Sequence, residues 1–177
     1  MAPSRTDPAM MSGMRLHETA DYPGATPDQV FSIIRDDDFR AEVCEKVHAI
    51  AYEVTVDDQQ DEVRVQIDRT MPAEMPDFVK RLTGETVEVR QTEVWGPAAA
   101  DGSRSGTVRL TIKGQPASMD GTMAINPTPS GAELVVDGDV KVKIPLVGRK
   151  IEPEVAKAIV AALQVESAAG RARVAGS

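Results

Sequence analysis

Glu93 sits in the run "QTEVW", where Gln91, Glu93 and Trp95 occupy alternate positions in phase with Val87 and Val89. A similar series ends on Arg69, after Val63, Val65 and Ile67. If both segments are strands, these polar groups share a face with the apolar ones. An inward Arg69 and Glu93 could pair, or Arg69 could hold a ligand carboxylate. The blander alternative puts both near strand ends in reach of water, and a bulge would turn them outward. Tyr52 is in phase with Ile50 and Val54, which points its ring inward and leaves its hydroxyl needing a partner from ligand or protein. Trp95, just before "GP", either stacks on a ligand at the rim or caps the core. Glu18 shares a phase with Leu16, Ala20 and Tyr22, and a buried carboxyl there would be a general-acid candidate. Its segment, "MRLHETADY", is poorly periodic, so the facing of Glu18 is not fixed by pattern.

Other reactive residue types have plainer readings. His17 and His48 have no partner at a metal-ligand spacing. Cys44 is flanked by Glu42 and Glu45, which disfavour a thiolate, so it reads as a small buried side chain. In "DDD", Asp36 to Asp38, neighbouring carboxylates on a helix point in different directions. That run reads as a solvated helix end, with Asp38 capping the helix that follows. "DGDV" lacks the further ligands of a calcium loop. No catalytic residue, metal or cofactor is predicted.

These residues need a scaffold. The chain has 177 residues, a single-domain length, with 41% hydrophobic but only 3% aromatic residues. Its core must be built from Val, Ile, Leu, Met and Ala. A net charge of −8 argues against nucleic-acid binding and against electrostatic docking on anionic membranes. The lone Cys44 excludes an internal disulfide and fits a reducing compartment, and no apolar run approaches a membrane span, so a cytoplasmic protein without stable membrane insertion is predicted. Residues 1–12 read as a disordered lead-in, 13–168 as one domain and 169–177 as a frayed tail.

Along that domain, "MRLHETADYPG" reads as a strand ended by a Pro-Gly breaker. Thr26 and Pro27 open a helix carrying Val30, Phe31, Ile33 and Ile34. A second short helix places Phe39, Val43 and Val47 on one face. From Ile50 the period changes to two, and about six strands follow, interrupted by a helical turn or two from Asp77 to Leu82. In the last strand Gly138 interrupts the series Leu134, Val136, Val140, Val142 and Ile144, which suggests a bend or bulge. A long helix beginning near Arg149 carries the stripe Ile151, Val155, Ile159, Ala162 and Leu163. The result is an α+β domain in order β-α-α-β6-α, a strongly curved antiparallel sheet of about seven strands wrapped around the C-terminal helix.

This order resembles the helix-grip fold of the START and birch-pollen-allergen superfamily, also called polyketide-cyclase-like or SRPBCC. The resemblance runs from about Met14 to about Ser167 and is carried by "YPGATPDQVFSIIRD" and "VKVKIPLVGRKIEPEVAKAI". "PLVGRKIE" together with "QTEVW" looks like an uncharacterised bacterial family within it. The resemblance implies a space between sheet and helix, which the scarcity of rings and the flexible Met71, Met119 and Met123 would leave open. The residues expected to line it are Tyr52, Ile67, Arg69, Val89, Glu93, Leu110, Met119, Met123, Val142, Val155 and Ile159. The expected role is binding or carriage of a small hydrophobic or amphipathic molecule. Two alternatives stand beside it. One is an enzyme, a cyclase, dehydratase or hydrolase, marked by a buried, shifted carboxylate. The other is a packed interior with an interaction surface near Val160 and Val165.

Overall fold

The computed structural model describes residues 13–177. The predicted lead-in, residues 1–12, lies outside them. Strand β1 (Met14–Pro23) is followed by helices α1 (Pro27–Ile34) and α2 (Asp37–Lys46). Strands β2 (Ala51–Asp58) and β3 (Val63–Pro72), the short helix α3 (Asp77–Thr83), and strands β4 (Thr86–Trp95), β5 (Arg104–Ile112), β6 (Ala117–Thr128) and β7 (Gly131–Val142) come next. Helix α4 (Gly148–Ala175) closes the chain. The seven strands form one antiparallel sheet in the order β1-β7-β6-β5-β4-β3-β2. The helix-grip arrangement expected from the element order is therefore the observed one.

Local chemistry explains the entries. At α1 the Thr26 hydroxyl accepts the Gln29 N–H while the Gln29 side chain accepts the Thr26 N–H, a reciprocal capping box. At α2 the cap is Asp36, whose carboxylate accepts the Phe39 N–H at 2.8 Å, and not the predicted Asp38. Asp38 lies too far into the first turn to reach those orphan donors.

Strand β7 alternates buried and half-buried positions along its whole length. Gly138 produces no bulge, because the pairing with β6 runs unbroken and sets it opposite Gly121. Its function is space: a Cβ at 138 would stand 3.0 Å from the Met119 sulfur, which lies across it.

At the corner after β7 the chain turns sharply. Gly148 packs so closely on the Val142 carbonyl that any Cβ would overlap it. The buried Glu152 accepts the Val142 N–H at 3.1 Å, tying the start of α4 to the end of β7. Pro153 is the sixth residue of α4, inside the helix and beyond its first turn, where it removes one N–H from the helical ladder.

Helix α4 has 28 residues, so it extends about 42 Å at ~1.5 Å per residue. It continues through the segment predicted to fray. Ala169 packs with Phe39 and Val43, a Cβ added at Gly170 would stand 3.0 Å from the Tyr22 ring, and Arg173 donates to Glu42 at 2.9 Å. Small residues here replace the apolar stripe and let the helix approach α2 and β1 closely.

Tyr52 keeps the predicted facing, set opposite Arg69 in the strand register, but it is not enclosed. Strand β2 is a sheet edge, and its beginning runs past the cover, leaving Ile50 63% and Tyr52 38% exposed. The Tyr52 hydroxyl donates to Glu45 of α2 at 2.8 Å, so its partner comes from the protein.

Candidate functional site: a cavity under the closing helix

Helix α4 packs mainly against β1 and β7, with α1 and α2 beneath its C-terminal half. Across the β3–β5 part of the sheet it stands off. A cavity of about 560 Å³ remains there, within the roughly 300–1,000 Å³ of small-molecule pockets. Nine of the eleven predicted lining residues border it: Arg69, Val89, Glu93, Leu110, Met119, Met123 and Val142 from the sheet, and Val155 and Ile159 from α4. Tyr52 is outside it, and Ile67 is buried at 2% exposure in the core without reaching the wall. The packed-interior alternative fails on this opening. Val160 and Val165 are half-buried, and Val165 itself faces the cavity.

At one end Met75 and Val79, together with Leu82, Gln115, Pro116 and Ile144, bring α3, the β5–β6 turn and the end of β7 to the opening. Phe78 and Leu82 of α3 are 44% and 46% exposed there. Farther in, the wall is apolar until it reaches a polar cluster centred on Arg40.

Arg40 is 1% exposed and fully engaged. Its Nε donates to the Ile34 carbonyl at 2.6 Å, one terminal nitrogen to Glu93 at 2.7 Å and the other to Glu166 at 3.0 Å. Glu93 also accepts the Trp95 indole N–H at 2.9 Å and the Gln91 amide at 2.6 Å. Gln91 in turn accepts from Arg69 at 3.2 Å. The predicted Arg69–Glu93 pair is thus replaced by Arg40–Glu93, with Gln91 between Glu93 and Arg69. Trp95 belongs to the core: it is wholly buried, edge-on to Phe31 at 5.8 Å, with only part of its ring on the cavity.

One guanidinium between two carboxylates leaves one of them undersupplied. Burial pulls the Arg40 pKa down, but Glu93 and Glu166 more than offset this and hold it above its ordinary value. Glu93 has three donors, so the shortfall falls on Glu166. Burial pushes the Glu166 carboxyl up, Arg40 opposes this, and Glu93 adds to it, leaving it above the usual carboxylate range. The Cys44 thiol is also held up, first by burial, with the nearby Arg69 pulling the other way.

Arg40 and Glu166 were missed in the sequence. Arg40 lies in the polar string "DDDFRAEVCEK", although it is four residues before Cys44 and seven before Val47, on one helical stripe. Glu166 is seven residues beyond Ile159, the next position on the stripe of α4. Extending both stripes by a turn finds both residues. The other candidates lie apart. Glu18 borders a small separate hollow with Gln164, Ser167 and Arg171, and His17 pairs with Asp137 at 2.6 Å on the exposed face. His48 lies at the cavity wall just after α2. Asp36, Asp37 and Asp38 bring their carboxylate oxygens within 4.8 Å of one another, but Asp36 is committed to its cap and to Arg173. Among the described residues no helix is long and apolar enough to cross a membrane.

Comparison with solved structures gives the same architecture. The chain superposes with TM-score 0.56 on Ara h 8.0201, a birch-pollen allergen homologue, at 13% identity over 94% of this chain and 100% of that one. A STAR-related lipid transfer protein from Xanthomonas axonopodis matches with TM-score 0.53 at 16% identity, over 89% of this chain and 84% of that one. The di-domain ARO/CYC StfQ from the steffimycin biosynthetic pathway matches with TM-score 0.55 at 12% identity, over 91% of this chain and 52% of that one. At these identities the likeness is one of fold. An uncharacterised protein of Mycobacterium tuberculosis is 29% identical over 80 residues, 44% of this chain, so the match spans less than half of that relative, 45% of its length. The helix-grip architecture is shared with the superfamily that the element order resembled, and within it residues 17–174 match the model of one family, so the chain belongs to the family described as Protein of unknown function (DUF2505).

Proposed function

We propose that the protein binds or carries a small hydrophobic or amphipathic molecule in the cavity between the curved sheet and α4, in a cytoplasmic setting. The observation that carries this reading is the cavity of about 560 Å³, apolar over most of its wall and polar at the Arg40 cluster. Apolar walls supply the affinity, and a few placed polar groups orient the guest. Met119 and Met123 give the wall side chains that reshape easily around different guests. The fold relatives include a protein titled for lipid transfer, which fits the reading.

A thermal-shift panel tests it. Fatty acids and polyketide-like aromatics at concentrations well above Kd raise the melting temperature by mass action. No shift with any member of either class contradicts the reading.

One observation favours a second reading, acid–base chemistry in the same cavity: Glu166 is half-buried, borders the cavity and is held above the usual carboxylate range. Against it, Glu166 accepts from Arg40, and Glu93 is bonded to Arg40, Trp95 and Gln91. These bonds suit a structural network better than a proton-transfer pair. Substituting Glu166→Gln separates the two: unchanged ligand affinity with no loss of any turnover supports binding, whereas abolished turnover of a bound compound supports catalysis.

A further inference from the structure

The wall of the cavity holds two arginines whose situations are opposite. Arg40 has its Nε and both terminal nitrogens bonded to Ile34, Glu93 and Glu166. Arg69 has one hydrogen bond, at 3.2 Å, to the neutral carbonyl of Gln91, and its Nε is buried without a partner. Gln91 cannot turn to offer more, because its amide is pinned by Glu93 at 2.6 Å. The other near neighbour is the Cys44 thiol, a weak acceptor that carries no charge while protonated. Both nearby carboxylates are already bonded to Arg40. Although Arg69 as a whole is half-buried, a guanidinium with a buried, unanswered donor beside an open apolar space is costly unless something supplies the acceptor.

We propose that Arg69 is the seat of an anionic head group, and that the ligand is a medium-chain carboxylic acid whose carboxylate forks onto Arg69 while its tail lies along Val89, Leu110, Met119 and Ile159. The proposal rests on the binding reading above and narrows it to one ligand class. A planar guanidinium presents parallel N–H groups that match the two oxygens of a carboxylate, whereas an alcohol or ester gives a single, uncharged acceptor. Glu166, facing the same space from α4, acts on Arg69 electrostatically. Lys46 and His48, also on the wall, add positive or neutral groups at the α2 side.

The test is isothermal titration of the full chain at neutral pH with dodecanoate, dodecanol and methyl dodecanoate, each below its micellar range. Trp95, the single tryptophan, borders the cavity and provides a second readout by its emission. Dodecanoate is expected to bind at least about tenfold tighter than the alcohol or the ester, the weight of one charge-assisted interaction. Arg69→Met is expected to erase that preference while leaving dodecanol binding in place. Arg69→Lys, which keeps the charge but loses the fork, is expected to retain part of it. Equal binding of all three probes to the unmodified protein overturns the head-group assignment and leaves the binding reading standing. Binding of none of them overturns the head-group assignment, and the binding reading falls with it only if the aromatic members of the thermal-shift panel also fail to bind. If Arg69→Met does not fold, the acid-to-ester ratio in the unmodified protein decides the question alone.

Discussion

The two halves of the sheet carry the same alternation and do different things with it. On β7 the inward positions Leu134, Val136, Val140 and Val142 are all buried and α4 lies across this side of the sheet, although Leu134, Val136 and Val142 also border the cavity. On β4 and β5 the inward positions Val89 and Leu110 are only half-buried, and the space in front of them is open. The inward positions of β4 also turn polar toward its end, at Gln91 and Glu93, where β7 stays apolar. Period two therefore reports which way a side chain faces, and the distance to whatever faces it decides between core and cavity.

The largest expected effect lies in the polar cluster. Glu93→Ala leaves Arg40, the Trp95 N–H and the Gln91 amide without their acceptor, and is expected to cost about 3–5 kcal/mol in urea unfolding. Asp68→Ala, which breaks the exposed pair with Arg90 on the outer face, is expected to cost ~1 kcal/mol or less. Equal losses would mean that the inner network is as solvated as the outer one.

Packing comes next. Val140 is wholly buried and does not border the cavity, so Val140→Phe should overfill the closed half and cost about 1–3 kcal/mol. Val89→Phe projects a ring into the open half and should be close to neutral for stability while weakening ligand binding. Chemical denaturation measures the first effect, and titration of the best thermal-shift ligand measures the second. A comparable stability loss for both variants would erase the distinction between the halves.

Acidity gives a smaller effect. A carboxyl whose folded pKa lies above its ordinary value keeps its proton longer in the native state, so its contribution is complete below about the ordinary value of 4.5 and is lost as pH rises through the folded value. Stability should therefore fall across that window, and Glu166→Gln, which still accepts from Arg40 but does not ionise, should flatten the fall. Tyr22, its phenol pushed up to about 12 by burial and by Glu166, should add a second decline above pH 10.0. A pH profile with identical slopes for the parent and Glu166→Gln would remove Glu166 from the account.

The smallest effect is at the corner. Leu146 is 99% exposed with φ of 70°, a conformation that costs a non-glycine residue about 1 kcal/mol. Leu146→Asn should gain a fraction of that in thermal unfolding.

Much of this was legible in the chain. Thr26 and Pro27 marked α1, and the alternation from Ile50 to Ile144 gave the strands that form most of the sheet. Facing was legible wherever a strand has neighbours on both sides. At Tyr52 the facing holds but burial does not follow, because an edge strand keeps its pattern after its cover has ended. The buried cluster was half-visible: Glu93 and Gln91 stood in phase on β4, but their partner Arg40 comes from a helix some fifty positions earlier, and no local pattern brings those two together. The C-terminal turns of α4 were hidden for a different reason. They dock through Ala169 and Gly170, whose small size marks a close approach only once the Tyr22 ring is known to lie opposite.

Native mass spectrometry of freshly purified protein, compared with the Val89→Phe variant, tests the open half most directly. The account predicts a small amphipathic mass retained by the parent, or taken up from an added fatty acid or polyketide-like aromatic, and diminished in the variant. A parent chain that stays bare after incubation with both classes, or a variant that retains the same adduct, would contradict it.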